Sequence, residues 1–549
     1  MSSATNRYLK YWLEFAKKQQ SSPEKIEAEF EQINRVWQIF SNEEIAALSD
    51  QEREAAVLNL MFAMDGFLEH RGLLQENIVW ITRALQAAQK LNKPVFIGRL
   101  GQDLGWCYRE LGDLDKALEY LQLALPVRQK FGPKEGEANT LNMIGVVYDG
   151  KEEYIRAVEY FEKAISLWLE TGNIEREAIT RNNMAAVYAN MGDWTRAEEQ
   201  YTASLKLAQG TGDEDANAGA FNNLGEAAMF RGDLENAQAF FIKALEIFER
   251  IGDQIHVPTA LNNLALVKKQ QGLVDEAIEL MEKALSMQRR LHLDTDVATT
   301  LNNLGTTYEG MGLYPKALEY FSQALETHRA YQRERDVAVT LINMAGVYQH
   351  ENDWQKALDL YASAQLILEK IGAQAPLATL FNNVATIYYE TDQTDKVKTY
   401  LDKALEIHQG LGNQEGQAQS YNNMAVLIYK NDPNQAREYL KKALTISERI
   451  QNRDGRATYL HNLGAVASEM GELEQAVGYY TSALLIRREI QDHAGQTDSL
   501  YNLGIIWSEL GDFEQAVLLF EEAVGLDRQY HYSTLARDMG ALEDCRKRL

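Results

Sequence analysis

Asparagine recurs at a fixed step along this chain. Asn183, Asn223, Asn263, Asn303, Asn343, Asn383, Asn423, Asn462 and Asn502 form one column. The position before it holds Asn142, Asn182, Asn222, Asn262, Asn302, Asn382 and Asn422. Asparagine is a poor helix former, so local propensity does not explain these columns. A primary amide offers two donors and an acceptor with two lone pairs. That suits the backbone of an extended peptide, whose N–H and C=O groups need partners whatever its sequence. Other chemistry has little support. The 9 histidines form neither an HExxH motif nor a Cys/His cluster, and no GxSxG, GxGxxG or P-loop occurs. The 2 cysteines, Cys107 and Cys545, cannot build a disulfide framework and lack metal spacing. Cys107, between Trp106 and Tyr108, reads as core. Pairs such as Glu521 and Glu522 read as solvated helix faces. No catalytic residue, metal site or cofactor is expected.

The step that spaces the asparagines also spaces everything else. LNNLGTTYEGMGLYPKALEYFSQAL starts at Leu301, LNNLALVKKQQGLVDEAIELMEKAL at Leu261, and FNNLGEAAMFRGDLENAQAFFIKAL at Phe221. The register runs from Met61 through Gly101, Leu141, Arg181, Phe221, Leu261, Leu301, Leu341, Phe381 and Tyr421. One residue is lost near Pro433, and repeats follow from Leu460 and Leu500. That gives twelve repeats of about 40 residues. With the first residue of each as position 1, position 4 is apolar, 5 is mostly Gly or Ala, and 8 is often aromatic. Position 12 is often Gly, and 17 and 24 are mostly Ala. Positions 1, 4, 5 and 8 share a helical face. Gly at 12 fits a left-handed stop after a first helix. Positions 17, 20, 21 and 24 form the inner face of a second. Such a helix pair cannot bury its apolar face alone, so neighbours stack into a solenoid.

The spacing of Leu304, Gly305, Tyr308, Ala317, Phe321 and Ala324 resembles the tetratricopeptide repeat, with a period longer than that family's usual one. Long repeats opening on LNNLG look like those of kinesin light chain and the spindle-orientation adaptor LGN. They are also similar to the sensor regions of MalT-related bacterial signalling ATPases. The resemblance implies an all-α fold: a right-handed α-solenoid superhelix of about twelve helix-turn-helix repeats with helical caps. Residues 1–60 lack the register and read as an N-terminal helical cap. Residues 61–539 are the repeats, and 540–549 end a C-terminal capping helix. The resemblance also implies that position 2 faces a concave groove, and that position 3 can form an asparagine ladder that holds a peptide. Position 2 is the stronger candidate for ligand contact, and position 3 for bonds within the scaffold. Ala228 and Lys268 break the aromatic column, which reads as neutral drift in a tolerant array or, alternatively, as a softer stretch of groove over 221–300.

Composition limits the partners. Lys+Arg is 55 against Asp+Glu 80, a net charge of −25, which disfavours a nucleic-acid backbone or an anionic membrane. Positions 2 and 6 hold no Lys or Arg, so a clamp for a C-terminal carboxylate is not expected. No apolar run is long enough to span a bilayer, and the first residues lack a signal-peptide core. The expected protein is a cytoplasmic, non-enzymatic scaffold or adaptor binding a peptide segment of a partner in an Asn-lined groove. The alternative is a regulatory module that senses a small molecule or peptide and controls a separate effector.

Overall fold

The computed structural model describes residues 3–19, 23–41, 49–71, 74–530 and 534–548. Parts of the expected end caps, residues 1–2, 20–22, 42–48 and 549, lie outside them. The described residues form 27 helices and no strand. Ser3–Gln19 and Pro23–Ser41 precede the array, and Leu535–Arg546 follows it. Between them, helices pair in sequence order: Pro94–Glu110 packs most heavily on Leu114–Phe131, for example, and Asp294–Gly310 on Tyr314–Ala330.

Each repeat turns two corners, both built by local chemistry. The first corner follows the first helix. In ten repeats position 12 has positive φ, from Gly112 (78°) to Gly511 (85°). At Gly112 the two bonds of a Schellman close run from Gly112 N to Arg109 O (2.9 Å) and from Asp113 N to Tyr108 O (2.9 Å). The next residue is often Asp, and Asp113, Asp193, Asp233, Asp353 and Asp512 each accept an N–H from the first turn of the second helix. The second corner repeats the device with Gly172, Gly212, Gly252, Gly372 and Gly412, but also with His292, Gln332, Gln451 and Gln491 at positive φ. That mixture hides the second corner from a glycine search. In the shortened repeat Pro433 opens the second helix, and Asp432 caps it.

The first helix starts earlier than the repeat frame suggests. The Leu301 repeat opens inside the helix Asp294–Gly310. Its early residues are polar in sequence, yet Ala298 and Thr300 are fully buried.

The second helix approaches the first at position 5. A Cβ built on Gly305 would lie 2.5 Å from the Phe321 ring, and Gly145, Gly225 and Gly504 meet Phe161, Phe241 and Phe520 in the same way. Phenylalanine at position 21 always faces glycine, whereas Ala185, Ala265, Ala345, Ala385 and Ala425 are matched by Tyr201, Met281, Tyr361, Leu401 and Leu440. Outside this contact, Tyr308 stacks on Tyr320 at 5.4 Å and carries the Lys316 ammonium 4.0 Å above its ring. Where Lys268 replaces the tyrosine, Glu276 takes the place of that cation and pairs with it at 3.1 Å. The contact is exchanged there, not lost.

The chain divides into two compact bodies, Met1–Thr180 and Arg181–Leu549. In the first, the N-terminal helices and opening repeats share a core that includes Trp37, stacked on Trp80 at 3.9 Å, and the buried Cys107. In the second, core clusters follow one another along the repeats.

Candidate functional site

The asparagines lie on the first helices, and in parts of the second body the two columns are bonded to each other. Asn223 Nδ2 donates to Asn182 Oδ1 (2.8 Å), Asn263 to Asn222 (3.0 Å) and Asn462 to Asn422 (2.7 Å). Position 3 of one repeat therefore holds position 2 of the repeat before. Where His461 stands at position 2, the Asn502 amide lies 3.2 Å from its Nε2. Burial, then the Arg487 guanidinium, pushes the His461 imidazole down to about 3. The ring is neutral and serves as another rung.

Three rungs are open. The equivalent partners are Asn262 with Asn303, Asn302 with Asn343, and Asn382 with Asn423. In each pair the position-2 Oδ1 is buried and accepts no hydrogen bond from the described residues. The amides of Asn303, Asn343 and Asn423 are half-buried, and the described residues supply no partner for them. Asn262 and Asn382 are each only 7% exposed, and the Asn302 amide donates to Thr340 Oγ1 (3.0 Å). At these three rungs the position-2 Oδ1 is turned inward, while the position-3 amide has no described partner. Asn383 neighbours Tyr361, whose hydroxyl lies 3.3 Å from Gln349 Oε1. Asn142, in the first body, and Asn183, in the second, are each half-buried.

A second polar column is not apparent from the asparagines. Position 28 is buried and varied, and the residue before the next repeat satisfies it. Trp168 Nε1 donates to Thr180 Oγ1 (3.0 Å), Thr300 to Gln288 Oε1 (2.9 Å), and Arg487 to Ser499 Oγ (2.7 Å). The recurring Thr or Ser at 140, 180, 300, 340, 420 and 499 is the signal that could have revealed it.

Two further features bear on ligands. In the first body a concavity of about 390 Å³ is lined by Gln102, Asp103, Trp106, Asn139 and Arg176 among others. In the second body, turns about 220 residues apart touch. Gln414 N donates to Met191 O (3.0 Å), Arg453 N to Arg231 O (3.3 Å), and Trp194 Nε1 to Glu415 Oε2 (2.9 Å). Glu415 also accepts from Asn452 (3.1 Å), and burial pushes its carboxyl up. Among the described residues, one group has donor atoms close enough for a metal: Asp215, Asp253 and His256. Asp253 is already engaged, accepting the Ile255 and His256 N–H groups and pairing with the His256 ring.

No curated protein sequence matches the chain. Solved structures resemble it over long spans at low identity. BtubC (BKLC) from P. vanneervenii is 23% identical over 40% of this chain and 92% of its own, with a TM-score of 0.37. A Rap protein complexed with competence and sporulation factor is 15% identical over 66% and 98%, with a TM-score of 0.45. Cut9 in the APC/C hetero-tetramer Cut9–Hcn1 is 14% identical over 99% and 96%, with a TM-score of 0.45. The tetratricopeptide repeat model matches residues 100–170, 176–250, 216–290, 256–330, 336–400, 376–449 and 455–529. With helix pairs throughout that span and most of the chain covered, this protein is a member of the tetratricopeptide repeat family.

Proposed function

We propose that the protein is a non-enzymatic interaction scaffold that binds an extended peptide segment of a partner along the first-helix face of Arg181–Leu549. The open rungs carry this reading. Asn303, Asn343 and Asn423 present unengaged amides at the family's ladder position, spaced one or more repeats apart on one face. Elsewhere the same amides are closed onto their neighbours. A peptide backbone supplies the missing donors and acceptors at regular intervals. A family of this architecture is typically an interaction scaffold without chemistry of its own.

The test uses random octapeptides displayed on phage, selected on the full chain and measured by fluorescence anisotropy. Replacing Asn303, Asn343 and Asn423 together by Ala is expected to weaken binding by about tenfold or more, since each hydrogen bond contributes roughly 0.5–1.5 kcal/mol. Helicity and Tm should stay close to wild type. Unchanged affinity would overturn the reading. A second reading, a sensor of a small molecule, is favoured by the concavity around Trp106 and Arg176. It predicts a ligand-dependent change in small-angle scattering that is abolished by Trp106→Ala.

A further inference from the structure

The groove of the second body carries charge in only one place. At positions 2, 3, 6 and 9 of the repeats from Arg181 onward, the charged residues are Glu226, Lys269 and Glu309. They fall in three consecutive repeats and alternate in sign. All other residues at these positions are amides, hydroxyls, small or apolar side chains, and the neutral His461.

These charges are not closed into ion pairs with one another. Glu226 Oε1 accepts from Asn222 (3.3 Å) and Asn263 (3.1 Å), and no described cation lies within 4.0 Å of it. Lys269 Nζ donates to Thr306 Oγ1 (3.2 Å) and meets no described carboxylate within 4.0 Å. Glu309 lies 3.7 Å from His350, and it and Lys269 also attract each other beyond ion-pair distance, which leaves Glu226 as the charge with no cation beside it. All three are largely shielded from water. Burial pushes the Glu226 and Glu309 carboxyls up and the Lys269 ammonium down. A shielded charge with no counter-ion costs stability. A ligand that brings the counter-charge recovers that cost on binding.

Two features favour a cation at Glu226. Asn222 and Asn263 already fix its carboxylate from two sides with neutral donors, so a cation adds to the site without displacing a partner. Positions 6 and 9 of the preceding repeat are Ala186 and Ala189, too short to supply a counter-ion. The chain's net charge of −25 also favours basic over acidic partner segments. Lys269 lies one repeat further on, beside the first open rung at Asn262 and Asn303.

We infer that this section of the groove selects the bound segment by charge: a Lys or Arg side chain seats against Glu226, and an Asp or Glu within a few residues of it seats against Lys269. This rests on the peptide reading above. It goes beyond that reading by assigning sequence preference to a face whose amides recognise only backbone.

The same octapeptide selection tests it. Enriched peptides should carry Lys or Arg with Asp or Glu within about four residues, as the extended spacing of a peptide across neighbouring repeats requires. For a synthetic copy of one such peptide, Glu226→Gln should weaken binding about tenfold, and Lys269→Met should do the same. Replacing the peptide's basic residue by Gln should cost wild type about tenfold and the Glu226→Gln variant less than twofold. Glu226→Gln removes an unpaired buried charge, so its Tm should not fall. Enriched peptides without this charge pair, or a basic residue that can be removed at no cost, would overturn the inference. Peptides that lose affinity on replacement of Asn303, Asn343 and Asn423 but ignore Glu226→Gln sink the inference and leave the peptide reading standing. A selection that enriches no peptide sinks both.

Discussion

At the scale of single residues, the asparagine columns divide by what each amide already holds. A closed rung is structural: removing Asn223 strands the Asn182 acceptor between two packed helices. An open rung has nothing to strand. His461 shows that a rung tolerates a different side chain so long as it stays neutral. Its folded pKa lies near 3 against an ordinary 6.5, so the unfolded chain binds more protons between those values. Its contribution is therefore intact above about pH 6.5 and is lost as pH falls toward 3. We expect His461→Asn, which restores the column's own residue, to remove this loss. At pH 5 the unfolding free energy of wild type from urea titration should fall relative to the variant, by on the order of 1–2 kcal/mol, while at pH 7.5 the gap closes. Equal pH dependence in both proteins would contradict it. Neither the neutral ring nor the open rungs are legible in the sequence, because both depend on which neighbour an amide meets across the repeat boundary.

At the scale of elements, the repeat is held by matched pairs. The small residue at position 5 exists for the side chain at position 21. Gly305→Ala places a methyl 2.5 Å from the Phe321 ring and should cost about 1–3 kcal/mol. Adding Phe321→Leu should recover part of it, since Ala385 is matched by Leu401 and Ala425 by Leu440 in other repeats. Chemical denaturation of the two variants checks this, and equal destabilisation would refute the pairing. The matching of position 5 to position 21 needed the structure, but the period, the first corner and the helix faces were readable from one chain, because repeated copies of the same environment print the same residues. The second corner was not, since a Gln or His held at positive φ by its own Schellman bonds leaves no compositional mark. The start of the first helix was missed for a related reason. Its buried Thr and Ala look like loop residues until the position-28 partners are seen. The asparagine columns are plain in the sequence, but not which amides are engaged: position 3 donates to position 2 across three rungs and stands without a described partner at three others.

At the scale of the molecule, contacts such as Trp194 with Glu415 tie turns of the second body that are about five repeats apart. Burial raises the Glu415 carboxyl, and Asp454 beside it is raised by burial and by Asp492, against the pull of Arg487. For a carboxyl whose folded pKa is raised, the folded state binds the extra proton, so stability falls as pH rises through that window. Protection of the Gln414 and Arg453 amides from exchange, corrected for intrinsic rates, should therefore increase from pH 7 to pH 5. Glu415→Gln should flatten the trend, and a trend of opposite sign would refute this account. The central claim remains that open amides grip a peptide backbone. The most direct measurement is a double-mutant cycle between the Asn303, Asn343 and Asn423 to Ala variant and a selected octapeptide N-methylated at successive backbone positions. The account predicts that methylation at alternate positions weakens binding to wild type by about tenfold and barely affects the variant. Methylation costs that are the same in both proteins would contradict it.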